Sequence, residues 1–205
     1  MKNTVQEQFE MARRNQILDA AAKLFAQQGF HTTTIKDIAK EAGIADGTIY
    51  NYFKNKTALL LAIFNRMRSL VEPDENALPQ LIAGNLPTFL RSFLQIPLNT
   101  LNQDDFQLFK VVISEMMVNE ELRAIYHEQI LEPTLMLAEG YFEKWAQQHA
   151  VDNLDIALIV RSISSLITGL MIQNIMGDTL LREKWDELPS FLTDLLLNRL
   201  EKNQP

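Results

Sequence analysis

The stretch Thr34-Ile-Lys-Asp-Ile-Ala-Lys-Glu-Ala-Gly-Ile-Ala-Asp-Gly-Thr-Ile-Tyr-Asn-Tyr-Phe53 leaves this chain few choices. Ile35, Ile38, Ala39 and Ala42 recur at helical spacing on one face, and Gly43 can take the left-handed backbone of a tight helix exit. Ile44 and Ile49 then offer the apolar contacts that pin a second helix across the first, and Ala39 is small enough for the two backbones to cross closely. That is the spacing of a helix-turn-helix, with an ordinary αα-corner as the plain alternative.

The outward face separates the two readings. Asp46, Gly47, Thr48, Tyr50, Asn51 and Tyr52, followed by Lys54 and Lys56, supply short polar groups, phenol hydroxyls and ammonium groups, with a glycine that permits close backbone approach. Phosphate oxygens and base edges bind such groups, as they bind amides at helix N-termini. Thr34 adds a hydroxyl at the start of the first helix, where Thr34-x-x-Asp37 also fits a capping box.

Charge supports this reading once it is divided along the chain. Residues 1–71 hold ten Lys/Arg against six Asp/Glu and the remainder nine against twenty, so a net −7 conceals a +4 segment beside a −11 one. The acidic remainder would be held off a duplex by its phosphates. The absence of cysteine removes disulfides and thiolate metal sites, and His31, His127 and His149 show no ligand spacing, so no cofactor or metal is expected. Residues 1–12 lack the apolar core of a signal peptide, which points to a cytoplasmic protein. The segment 154–176 has the length of a membrane span, but Asp155, Arg161, Gln173 and Asn174 interrupt it, and a buried helix of a soluble protein is expected instead.

Helical patterns fill the chain. Residues 13–28 carry a stripe of Ile17, Ala21, Leu24 and Phe25 stopped by Gly29, with Arg13 and Arg14 either at phosphates or simply solvated. Asn55 is a natural N-cap for a helix over 56–71, after which Glu72-Pro73-Asp74-Glu75-Asn76 marks a domain boundary. Further helices are expected over 78–98, 104–118, 121–148, 154–176 and 188–202, with kinks or breaks at Pro87, Pro97 and Pro133. No strand-like alternation or repeat occurs, so the fold class is all-α.

Gly29-Phe30, the threonines before Ile35, Asp37-Ile38-Ala39, Ala42-Gly43-Ile44, Gly47-Thr48-Ile49-Tyr50, Tyr52-Phe53 and Asn55-Lys56 before Leu59-Leu60 together closely resemble the DNA-binding domain of tetracycline-repressor (TetR) family regulators, over residues 13–70. The family commonly has serine where this chain has Ala45; alanine can neither cap the recognition helix nor meet a phosphate, so Asp46 is expected to shift into the capping role.

The resemblance implies an N-terminal three-helix DNA-binding domain over 1–55, a connecting helix over 56–71 and a C-terminal ligand-binding and dimerisation domain over 72–205. It implies a homodimeric repressor on a palindromic operator of double-stranded DNA, released by a small hydrophobic effector. The DNA contacts would be Thr34, Asp46, Gly47, Thr48, Tyr50, Asn51, Tyr52, Lys54 and Lys56. The dimer would form on the last two helices, through Ile156, Val160, Ile163, Ile167, Leu170, Phe191 and Leu195, unless these are ordinary core. Candidate effector contacts are Met117, Tyr126, Gln129, Thr134, Met136 and Met171, which core packing or solvent exposure would explain equally well. No convergent carboxylates, histidines or nucleophile motif suggests an enzyme. A helical adaptor docking another protein on 154–200 is the competing reading.

Overall fold

The computed structural model describes residues 2–72, 76–101 and 107–201. The expected helix ends at Asp104 and Lys202, and Pro73, Asp74 and Glu75 of the expected boundary, lie outside the described residues. Among the described residues there is no strand. The chain divides into two compact units, one of residues 1–67 and 107–130, the other of 68–106 and 131–205.

The first unit is built from α1 (Lys2–Gln28), α2 (Ile35–Glu41), α3 (Asp46–Tyr50), α4 (Lys56–Val71, through Met67), α7 (Gln107–Val118) and α8 (Glu120–Tyr126). Helix α1 starts well before the expected Arg13, although its added turns carry exposed Val5, Phe9 and Met11. Its stripe of Ile17, Ala21 and Phe25 is fully buried against Ile38, Ala39, Ile49, Leu59, Leu60 and Ile63. Val111, Val112, Leu122 and Ile130 complete that cluster. This grouping follows burial and not chain order, because α7 and α8 cover apolar side chains of α1 and α4 that the 1–55 segment would leave exposed to water.

The second unit contains α5 (Leu78–Ala83), α6 (Leu86–Leu101), α9 (Glu132–Gln148), α10 (Ile156–Ile175), α11 (Thr179–Glu183) and α12 (Leu188–Glu201). Phe89, Leu90, Leu94 and Leu98 form the buried stripe of α6, which packs chiefly on α12. Phe89, Phe93, Phe142 and Trp145 join in edge-on and stacked contacts with ring centroids 4.8–6.3 Å apart. The indole of Trp145 donates to the Gly84 carbonyl at 2.9 Å, and that of Trp185 to Leu98 at 3.0 Å, so both buried N–H groups are satisfied.

The helix breaks do not fall at the prolines named from the sequence. The expected 78–98 helix is broken at Gly84, and Asn85 caps the next helix through the Thr88 amide at 3.0 Å, leaving Pro87 in its tolerated first turn. Pro97 lies inside α6. Ahead of Pro133 the backbone widens into a π-turn at His127–Leu131, the adjustment that accommodates a residue with no N–H to give and a ring that crowds the preceding turn.

Candidate nucleic-acid interface

The turn between α2 and α3 is closed by two hydrogen bonds. Gly43 N–H donates to the Lys40 carbonyl at 3.2 Å and Ile44 N–H to Ala39 at 3.0 Å, a pattern that requires the left-handed φ of +64° found at Gly43. A side chain there would be strained whatever the space around it. Ala39 and Ile49 are fully buried where the two helices meet.

Upstream, Thr34 and Asp37 complete the capping box. The Asp37 amide donates to the Thr34 hydroxyl oxygen at 3.1 Å, while the Thr34 amide and hydroxyl both donate to the Asp37 carboxylate, at 3.0 and 2.6 Å. Those two donors, the hydroxyl first, hold the Asp37 carboxyl below its ordinary pKa of 3.8. The Thr34 hydroxyl proton is therefore already given to Asp37, and a phosphate in contact with Thr34 would have to displace it. At α4 the expected cap is present, with the Ala58 amide donating to the Asn55 side chain at 2.8 Å.

Helix α3 departs from expectation. Its N-cap is Ala45, in an extended conformation and without a side-chain cap bond, and Asp46 does not take over that role. Asp46 is already the first helical residue; a capping side chain must leave from a non-helical residue to reach the amides one turn on. Its carboxylate still complements the positive end of the helix. Asp46, Gly47, Tyr50, Asn51 and Lys54 are exposed, and Thr48 and Tyr52 are half-buried. A Cβ built on Gly47 would meet nothing within 4 Å, so no contact within the chain asks for glycine there.

Lys56 has a different task from the expected phosphate contact. Its ammonium donates to the carbonyls of Phe30, His31 and Thr33, at 2.5, 3.1 and 2.9 Å, and lies 4.4 Å from the centre of the Phe30 ring. An ammonium has three N–H donors, and all three are used. Desolvation lowers the Lys56 pKa and the nearby Glu115 carboxylate opposes that shift. Sequence reading missed this role, since the three carbonyls leave no mark in residue type, and it missed Glu115 because that residue lies far along the chain. Arg14 stacks over Phe53 at 4.6 Å and Arg13 donates to Gln16, so both have partners of their own. Among the described residues no group of three His, Asp or Glu side chains could hold a metal ion.

The family model described as bacterial regulatory proteins, tetR family, matches residues 17–63, which span α1 from its buried stripe through the first half of α4. A fatty acid metabolism regulator protein of Bacillus subtilis is 30% identical over 165 residues, covering 80% of this chain and 84% of the relative. The chain belongs to the tetR family of transcriptional regulators. Among solved structures, this tetR-family protein is similar to the Bacillus subtilis regulator FadR in complex with stearoyl-CoA, at 29% identity and a TM-score of 0.67, over 85% of this chain and 96% of that one. A fatty acid degradation regulator, FadR of Bacillus halodurans, is 26% identical with a TM-score of 0.66, over 87% and 94%. The relatives are DNA-binding regulators, and the helix-turn-helix described above is the element that the family model matches.

In the second unit of the tetR-family protein the expected dimer residues separate into two groups. Val160, Ile163 and Ile167 are buried within the unit and belong to its own core; Ile156 and Leu170 are half-buried. On α12, Phe191 and Leu195 are 61% and 50% exposed. The free face of α10 is the other one, with Leu158, Ser162 and Ser165 exposed and Gly169 half-buried in line with them. By length and composition α10 is apolar enough to cross a membrane, and only 22% of its most apolar stretch is buried within this single chain, so the expected buried helix is covered here on one face only. Sequence period alone does not tell which of two apolar faces meets the core.

The expected effector residues divide between the two units. Met117, Tyr126 and Gln129 fall in the first unit and Thr134, Met136 and Met171 in the second. Met117 and Met136 are 76% and 61% exposed and Gln129 is exposed, so none of the three is a cavity wall. Met171 is fully buried. Tyr126 packs edge-on against Phe64 at 5.5 Å, and burial raises its hydroxyl pKa above the ordinary 10.0. In the second unit an open groove of about 760 Å³ lies between α5 and α9, lined by Leu78, Pro79, Ile82, Lys144, Gln147 and Gln148, none of which the sequence reading had chosen.

Proposed function

We propose that this chain is a homodimeric repressor that places α3 in successive major grooves of a palindromic operator and releases it on binding a long-chain acyl thioester. The reading rests on the exposed Gly47 and Tyr50 of α3 and Asn51 and Lys54 of the turn that follows it, with the buried face of the helix fixed by Ile49 and the Gly43 turn. Base edges and phosphates need such a set, with amide and phenol groups for the former and an ammonium for the latter. Thr48 and Tyr52 flank it; Thr34 and Lys56 shape the scaffold behind it.

A pair of reading helices needs two copies of the chain, about one turn of DNA apart. The exposed faces of α10 and α12 suit that purpose, because Ser162, Ser165 and Gly169 allow close approach while Leu158, Phe191 and Leu195 supply apolar area. The acyl thioester is carried over from the stearoyl-CoA complex of the Bacillus subtilis regulator. Helix α4, which leaves the first unit at Met67, is one of three passages of the chain between the units, and along it effector binding would shift the reading helices. Like its relatives the protein would work in the cytoplasm.

To test the DNA assignment, operators are selected from random duplexes with the full-length protein and their affinity is compared with that of Tyr50→Ala. The variant should bind at least about tenfold more weakly, the loss of one good base contact. Equal affinity would remove α3 from the interface. Stearoyl-CoA added to the parent complex should dissociate it.

A further inference from the structure

Helix α7 carries a charged residue into the core of the first unit. Glu115 is only 5% exposed, beside the buried Val111 and Val112 of the same helix. Its Oε2 accepts no hydrogen bond, although His31 Nε2 stands 2.9 Å away in ion-pair range. The carboxylate also acts electrostatically on Lys56, favouring its charged form against burial. As a stabiliser of the fold such a group is a poor choice, since desolvating a carboxylate costs more than packing an apolar side chain of similar size.

What the carboxylate holds is more telling. Lys56 gathers the carbonyls of Phe30, His31 and Thr33, the segment that enters α2 at its cap Thr34. His31, the other partner of Glu115, belongs to the same segment. Glu115 on α7 thus stands 2.9 Å from the His31 imidazole and acts electrostatically on Lys56, whose ammonium holds the carbonyls of residues 30, 31 and 33.

We propose that Glu115 is a positioning residue for operator binding, which through Lys56 and His31 sets the segment 30–33 and with it the orientation of α2 and α3. The inference rests on the operator reading above and deepens it: α7 becomes part of the DNA-reading body without touching DNA. Neutralising Glu115 leaves Lys56 without its counter-charge, so the ammonium gives up carbonyl partners for water and the entry to α2 loosens.

Glu115→Gln preserves the shape of the side chain and removes its charge. Against the operator selected with the parent, it should bind about ten- to a hundredfold more weakly, the range for weakening hydrogen bonds made by a charged group. In a Lys56→Gln background the same change should cost less than in the parent, because only the His31 contact is left for it to act through. Amide hydrogen exchange gives a readout that does not depend on the second variant folding. In Glu115→Gln, exchange should accelerate at residues 31–34 and stay as in the parent at Val111 and Val112. Unchanged operator affinity, or acceleration spread evenly through the first unit, would overturn the positioning role. A parent that selects no operator would overturn the operator reading itself, and this proposal with it.

Discussion

At the scale of single residues, the positions at helix ends carry much of the local order. Asp37 is typical: its carboxylate completes the cap of α2 by accepting from the amide and hydroxyl of Thr34, and these bonds lower its pKa below 3.8. A depressed carboxyl pKa means that folding favours the ionised form. The stabilisation is present above the ordinary value of 3.8 and is lost as pH falls through the lower folded value. Asp37→Asn should therefore be less stable than the parent at neutral pH, and the gap should close below pH 3.8 in denaturant titrations run at both pH values. A gap independent of pH would mean that the box works by shape alone. Ala150 is a second such residue: at φ +51° it ends α9 in a conformation that glycine takes at the comparable turns after α2 and α10. Its neighbour Val151 donates back to Ala146 at 2.9 Å, so the helix-ending hydrogen bond offsets part of the local strain of about 1–2 kcal/mol.

At the scale of elements, the informative object is α10. Its 3.6-residue period shows apolar or small residues on two faces, and only packing decides that Val160, Ile163 and Ile167 turn inward while Leu158, Ser162 and Ser165 turn out. Arg161, paired with Glu132 at 3.3 Å and with Glu139, ties α10 to α9 beside that free face. If two copies associate through the small-residue strip, Ser165→Phe should keep two helices apart while leaving the isolated subunit unstrained, since Ser165 is exposed. Sedimentation velocity should find the parent dimeric and Ser165→Phe shifted toward monomer, with unchanged helicity by circular dichroism. A monomeric parent would instead favour the reading in which α10 and α12 dock a different protein.

At the scale of the whole molecule, charge is divided so that the segment able to meet DNA is positive and the remainder negative, with a net charge of −7. Binding should consequently be sensitive to salt, because neutralised phosphates release counterions. Lys54 is exposed next to the reading helix, whereas Lys56 is engaged with carbonyls. Lys54→Ala should weaken binding to all duplexes alike and reduce the slope of log affinity against log salt by about two, one for each subunit of the proposed dimer. A change confined to the selected operator would make Lys54 a base reader.

How far the sequence reaches follows from the range of the interactions involved. The helix-turn-helix was legible because its determinants are local: the Gly43 exit, the Thr34–Asp37 box, the Asn55 cap and the 3.6-residue stripes all act within about a dozen residues. The all-α class and the exposed residues on and just after α3 follow from the same local rules. Only the tertiary structure decided that Lys56 serves three backbone carbonyls, that Glu115 reaches His31 from 84 positions away, and which face of α10 is free. Those outcomes depend on which surfaces meet after the chain has folded back on itself. Burial, and not residue type, then determines what each charge and each apolar face can do.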